Sequence, residues 1–133
     1  MGQKIIVDSD VLVAIYKPND SSHLRAEKLA KKLKKQHGIF FISNLVQQES
    51  ATVISKHMGM EDARRFSRGV LNFVDTIIAL DTQIEKQSWE IFLNQTKKGT
   101  SFVDCSNLAT AYAYKFDGIF SFDHFYPKDI LVK

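Results

Sequence analysis

A single cysteine, Cys105, stands in the 133 residues, so no intramolecular disulfide framework holds this chain together. Four histidines, His23, His37, His57 and His124, are scattered without the paired spacings of a zinc site. Any metal would therefore be a hard ion held by oxygen. No apolar run approaches the roughly 20 residues needed to cross a bilayer, and the N-terminus has neither the apolar core nor the small-residue cleavage site of a signal peptide. These absences lead to the expectation of a cytoplasmic protein with no membrane partner. No internal repeat, linker or low-complexity stretch interrupts the sequence, so residues 1–133 read as one domain, and 44% hydrophobic content is enough for one core. The formal charge of +3 and pI near 9.0 tilt toward a polyanionic partner without requiring one.

Ile5, Ile6 and Val7 are a β-branched run that reads as a strand buried on both faces, and it ends at Asp8. Ligands of parallel α/β sheets bind at the carboxyl ends of strands, which makes an acid there a site candidate. The same position also suits Asp8 or Ser9 as the N-cap of the next helix. Both readings stand at this point. A short helix over 10–16 and a turn-rich loop over 17–22 follow. The next helix, to about residue 37, has Leu24, Ala26, Leu29, Ala30 and Leu33 at helical spacing, with Arg25, Lys28, Lys31, Lys32, Lys34 and Lys35 over the remainder. Such a basic face either is simply solvated or lies along a phosphate backbone.

Gly38 closes that helix, and residues 39–42 read as a second buried strand. The helix over 45–58 carries Glu49 one turn in, either facing the sheet edge or facing solvent. After Gly59 a helix over 61–73 holds Arg64, Arg65 and Arg68, with Phe66, Val70, Leu71 and Phe73 as its buried side. A strand over 76–80 stops at Asp81, and a helix over 82–96 packs Trp89 inward. The alanine-rich helix over 104–116 opens on Asp104, and the strand over 118–122 ends in Asp123. Ile130, Leu131 and Val132 could form an edge strand. This alternation predicts a three-layer α/β/α sandwich with a central, mostly parallel sheet.

In such a sheet, strand ends and the starts of the following helices share one edge, so Asp8, Glu49, Asp104 and Asp123 can converge there. Two carboxylates about 4 Å apart repel by roughly 4 kcal/mol at an effective dielectric of about 20, so a cluster binds protons or a cation. With no thiolate or paired imidazole available, the expected cation is Mg²⁺ or Mn²⁺. Such ions support phosphodiester hydrolysis without a protein nucleophile. No Ser/His/Asp or Cys/His arrangement is evident, and Cys105 reads as a small packed residue.

Four groups of residues now carry a resemblance: Val7, Asp8 and Ser9; Ser43 with Leu45, Val46 and Glu49; Val103, Asp104 and Cys105 with Ala109 and Ala111; and Ile119, Phe120, Ser121, Phe122 and Asp123 with Phe125. In order and spacing they resemble the four motifs of the PIN-domain family, over nearly the whole chain. In length and lack of extra domains the chain is most similar to the VapC-type toxins of toxin–antitoxin modules. The resemblance implies a metal-dependent endoribonuclease that hydrolyses RNA phosphodiester bonds, with Asp8, Glu49, Asp104 and Asp123 as both catalytic residues and ligands of Mg²⁺ or Mn²⁺. Ser9 and Ser121 match the hydroxyl positions flanking the first and last acids. Asp10 stands where Asn is often found, either as a further acid beside the metal or as a helix cap. The resemblance also implies a homodimer and an antitoxin protein whose peptide reaches the acidic pocket. Lys31, Lys32, Lys34, Lys35, Arg64, Arg65 and Arg68 are candidates for contact with RNA or with an acidic antitoxin segment, although solvation accounts for them equally well.

Two other readings remain. Asp8 and Asp10 after an apolar strand resemble the first motif of haloacid dehalogenase-like phosphatases, with Asp8 as nucleophile and Asp10 as general acid; the later lysine and paired acidic motif of that family are not evident, and Glu49 would have no task. A PIN-like domain could also serve as a non-catalytic module binding nucleic acid or protein, but such domains typically lose acids, and all four are retained here.

Overall fold

The protein, described over residues 2–133 by a computed structural model, is built on four short strands in the order β3-β2-β1-β4. Strand β1 (Lys4–Val7) pairs in parallel with β2 (Ile39–Ser43) on one side and β4 (Gly118–Phe120) on the other, and β2 pairs in parallel with β3 (Thr76–Ile78). Helices α1 (Ser9–Tyr16) and α2 (His23–Lys35) join β1 to β2, α3 (Asn44–Met58) and α4 (Met60–Phe73) join β2 to β3, and α5 (Thr82–Leu93) and α6 (Phe102–Ala113) lead to β4.

The strands alternate their side chains between two cores, as a period of two requires. Ile5 and Val7 of β1, Phe40 and Ile42 of β2 and Phe120 of β4 pack against α1 to α4. Ile6 and Ile119 face the other way, toward Leu108 and Ala111 of α6 and toward Phe116 and Tyr126. The expected three-layer α/β/α arrangement is therefore present, and every strand pairing is parallel. The strand order reverses between β1 and β4, so this is where the crevice at the carboxyl edge opens.

Carboxylates also organise the amino edge. The Lys4 amide donates to Asp117 Oδ2 at 2.7 Å and the Phe40 amide to Asp75 Oδ2 at 2.8 Å, while the amides of Asp117 and Asp75 return bonds to the Lys4 and Phe40 carbonyls. Each acid thus fastens an incoming chain segment to the start of the neighbouring strand. Among the described residues, no helix is long and apolar enough to cross a membrane.

Several boundaries differ from the sequence expectation. Strand β4 stops at Phe120 because the Phe122 amide donates to the Asp10 carboxylate at 2.9 Å rather than to a neighbouring strand. Asp123 consequently lies in the loop beyond the strand. Helix α6 begins two residues early, with the Ser101 hydroxyl accepting from the Asp104 amide at 3.4 Å, which puts Asp104 in the first turn. The segment around Leu131 does extend the sheet, as a single parallel bridge to Ile119. Leu24 and Leu71 are 78% and 62% exposed, outside the buried faces of α2 and α4, and Trp89 remains 47% exposed while leaning on Phe92 and Phe102.

Phe40 joins the layers: it is fully buried, with ring centroids 5.4 Å from Phe73 and 5.9 Å from Phe120. Phe40→Ala is expected to cost about 3–5 kcal/mol, read as a lowered urea midpoint with an unchanged slope.

Candidate active site

Asp8 sits immediately past β1 and is 2% exposed. Its Oδ1 accepts from the Ser9 amide at 2.7 Å and from Asn107 Nδ2 at 3.1 Å. Its Oδ2 accepts from the Ser121 hydroxyl at 2.9 Å and from the Tyr126 hydroxyl at 3.0 Å. Asp8 is also the N-cap of α1, so the two readings open at the sequence level describe one residue. Burial, followed by the charge of Asp10, pushes its carboxyl up to about 6 against the pull of the Ser121, Ser9 and Tyr126 hydrogen bonds.

Asp10, in the first turn of α1, accepts from the amides of Val11 at 2.7 Å and Phe122 at 2.9 Å. The Ser121 hydroxyl lies 3.3 Å and 3.4 Å from its two oxygens and also receives the Asp123 amide at 3.0 Å. Asp10 is thus tied to the chain leaving β4. Burial raises its pKa, and the nearby Asp123 charge adds to that. Asp123 itself is exposed and accepts from the Phe125 amide at 2.9 Å.

Asp104 reaches the same crevice from α6, where its Oδ1 lies 3.3 Å from the Tyr126 hydroxyl. Burial first, then the charges of Asp8 and Asp123, push its carboxyl up to about 8. A phenol has one proton to give, so Tyr126 serves one carboxylate at a time, and a protonated Asp104 can supply the second bond itself. The Tyr126 oxygen also accepts from Asn107 Nδ2 at 3.1 Å. With that amide nitrogen turned to Asp8, Asn107 Oδ1 is left buried without a partner.

Glu49 stands slightly apart, linked through Ser9, whose hydroxyl donates to Glu49 Oε2 at 2.7 Å. It shares a recess of about 340 Å³ with Ser9, Asp10, Asp20 and Phe122. The four acids expected from the sequence thus gather at one edge in two linked parts: Asp8, Asp104 and Asp123 around Tyr126 and Ser121, and Glu49 across Ser9. Among the described residues no group of three or more His, Cys, Asp or Glu forms a ready-made metal cage. None of these acids is in an ion pair there either; the described ion pairs join His23 to Glu27 and the arginines of α4 to their own helix.

The basic candidates separate in the same way. Arg64 and Arg68 lie 3.4 Å and 3.6 Å from Glu61, and Arg65 lies 3.0 Å from Asp62. Lys34 Nζ donates to the Phe73 carbonyl at 2.9 Å and sits over the Phe73 and Phe40 rings. Lys32 Nζ donates to the Lys133 carbonyl at 3.0 Å. Lys31 and Lys35 are exposed along a groove beside the site. Cys105 is fully buried, and burial together with the Asp104 charge raises its thiol pKa, as befits a packed residue.

Asn107 and Tyr126 were not legible as site residues. Asn107 lies three positions after Asp104 on the same helix face, the one hint available. Tyr126, between Phe125 and Pro127, reads only as an aromatic in a loop.

No curated protein matches this chain in sequence. Among solved structures it is similar to VapC20 of Mycobacterium tuberculosis, a sarcin-ricin loop cleaving toxin, at 21% identity and a TM-score of 0.78, covering 90% of this chain and 89% of that one. VapBC2 from Rickettsia felis, bound to a DNA fragment from its promoter, matches at 18% identity and 0.64, covering 90% and 87%. DNA-bound VapBC from Salmonella typhimurium matches at 16% identity and 0.56, covering 82% and 79%. At these identities the likeness speaks for the fold. The PIN domain family model, in turn, matches residues 5–127, from the first buried strand to just past Tyr126. With the sheet order and the gathered acids already in place, that span means that this chain belongs to the PIN-domain family.

Proposed function

We propose that this PIN domain is a metal-dependent endoribonuclease that hydrolyses RNA phosphodiester bonds, using Mg²⁺ or Mn²⁺, and that it acts as the toxin of a toxin–antitoxin module. One observation carries the reading: Asp8, Asp10, Asp104 and Asp123 crowd the topological switch point with no cationic side chain paired to any of them among the described residues. Burial first, and then the charges of neighbouring carboxylates, raise the pKa values of Asp8, Asp10 and Asp104. The donor set is all carboxylate and hydroxyl oxygen, which suits a hard divalent cation. Asp8, Asp104 and Asp123 would hold it, with Glu49 facing it from across Ser9. When bound, such an ion polarises the phosphoryl group and lowers the pKa of water.

The chain's own residues supply the positioning. Ser121, Tyr126 and Asn107 fix the Asp8 carboxylate in one rotamer, and the Val11 and Phe122 amides fix Asp10. Tyr126 couples Asp8 to Asp104, so the two acids present their remaining lone pairs from a set separation. The phosphatase reading leaves Glu49, hydrogen-bonded to Ser9 at the same edge, without a task. Retention of all four acids weighs against a purely non-catalytic module.

The toxin role is supported by the fold shared with VapC20 and with the VapBC complexes, which makes an antitoxin protein the partner we propose. A homodimer is the proposed assembly; Leu93 and Tyr112, exposed on α5 and α6 together with Trp89, are apolar surface that a second copy could cover.

Purified protein with Mg²⁺ or Mn²⁺ is expected to cleave single-stranded RNA, and Asp8→Asn to reduce cleavage to background while circular dichroism stays native. Equal activity in the variant would expose a contaminating nuclease. Tyr126→Phe, which removes the hydroxyl between two acids, is expected to lower both Mn²⁺ affinity by calorimetry and cleavage by about 10- to 100-fold. Folding raises the Asp8 and Asp104 pKa values above the ordinary 3.8, so the folded state binds more protons than the unfolded one. Without divalent ion, stability should therefore be greatest below about pH 4 as far as these groups are concerned, and should fall as pH rises through about 6 and about 8. Added Mg²⁺ should offset that loss in thermal melts, and Asp104→Asn should raise the unfolding free energy at alkaline pH by about 1–2 kcal/mol after allowance for solvent screening. A melting temperature independent of pH over this range would contradict the charge frustration described above.

A further inference from the structure

Beside the acids lies a feature of opposite charge. A groove of about 1190 Å³ runs between α2 and the chain that follows β4. Its cationic lining comes from Arg25 and Lys28, Lys31, Lys32, Lys34 and Lys35 of α2 and, on the far wall, Lys133, with Leu29, Phe122 and Val132 as an apolar floor; Lys32 and Lys34 are engaged with the Lys133 and Phe73 carbonyls. No carboxylate side chain lines it. Glu27, the one acid of α2, is turned instead to His23, 3.2 Å away. A smaller recess shares Arg25, Ser121 and Phe122 with the groove and adds Asp123 and His124, so the groove opens directly onto the acidic crevice. At the junction the Arg25 guanidinium lies 3.8 Å above the Phe122 ring centroid. Phe122 in turn is anchored by its amide to Asp10.

We propose that this groove is the track along which single-stranded RNA runs into the acidic site; the proposal rests on the nuclease reading and specifies how its substrate is held. Lys28, Lys31 and Lys35 follow at helical spacing, about one ammonium per 5.4 Å turn. From Arg25 to Lys35 the helix rises roughly 15 Å, at about 1.5 Å per residue, long enough to lie against several phosphates of one strand. An evenly charged backbone with flat apolar bases matches a wall of regularly spaced cations over an apolar floor. A duplex, whose bases are stacked inside, offers that floor nothing. Arg25 at the mouth places a guanidinium, stacked over the Phe122 ring, next to the phosphate adjoining the one to be cut. The far wall, Val132 and Lys133, lies outside residues 5–127 matched by the family model.

The test uses a short fluorescein-labelled single-stranded oligoribonucleotide of mixed sequence, titrated by anisotropy without divalent ion. Combined Lys28→Glu, Lys31→Glu and Lys35→Glu should weaken binding at least about tenfold and reduce the logarithmic salt slope by about 2. The matched reversal on α4, Arg64→Glu, Arg65→Glu and Arg68→Glu, should change affinity by less than about twofold; thermal melts check that both variants fold. Loss confined to neither helix, or equal on both, would overturn the track. So would equally tight binding of a blunt duplex of the same sequence. An oligoglutamate peptide that binds as tightly as the RNA and is lost in the α2 variant would assign the groove to an acidic protein segment instead. Cleavage with Mg²⁺ is scored in parallel: cleavage that survives the α2 reversal unchanged defeats the track and leaves the nuclease, whereas groove-dependent binding with no cleavage by the wild type defeats the nuclease reading.

Discussion

Asp8 is a carboxylate withdrawn from water at the end of the central strand, with other carboxylates as its charged neighbours, and most of the surrounding architecture is arranged to keep it there. A lone buried charge is costly unless donors satisfy it. Four donors do so here, from Ser9, Asn107, Ser121 and Tyr126, and they come from four different parts of the chain. Holding Asp8 therefore also fixes the entry to α1, the face of α6, the end of β4 and the loop beyond it. The hydrogen bonds cancel only part of the burial cost, and the remainder is stored as raised proton affinity across Asp8, Asp10 and Asp104. This is the usual relation between a functional cluster and stability: geometry that leaves charges unpaired in the resting fold is geometry ready for a charged ligand.

The molecule keeps its two kinds of charge apart. Asp8, Asp10 and Asp104 are withdrawn from solvent at the switch point while Asp123 lies at its exposed rim, and the lysines of α2 stay exposed on its outer side. Phe122 touches the acidic recess on one side and the basic groove on the other, and Arg25 stacks over its ring on the groove side. On α4 the arrangement differs: arginines lie against acids of the same helix, and the net field there is small.

Much of this was visible in the order of residues. Runs such as Ile5 to Val7 and Ile39 to Ile42 can be little other than buried strands, and an acid following each of several strands points to one edge of a parallel sheet. Asp81 shows the limit of that logic, since it also follows a strand yet only caps α5, its Oδ1 accepting the Ile84 amide at 2.8 Å. What separates it from Asp8 is position in the sheet order, β3 at the edge against β1 at the centre, and strand order is not written locally. Asn107 and Tyr126 were hidden for a related reason: their roles depend on polar atoms meeting across 99 and 118 residues of chain, for which periodicity carries no signal. The early end of β4 belongs with them, because the Asp10 carboxylate competes for an amide that local propensity assigns to the strand.

The carboxylates at the amino edge complete the account of how the site obtains its dimensions. Strands β3 and β4 have three residues each, too few for side-chain alternation alone to forbid a slip of register. Asp117, bonded to the start of β1, and Asp75, bonded to the start of β2, act as datum points from which the short strands are measured. The spacing between Asp8 and the Ser121 hydroxyl is thus gauged from the opposite end of the sheet, four residues or about 13 Å away at roughly 3.3 Å per residue. The tolerance of the reactive edge is consequently inherited from two acids that never touch it.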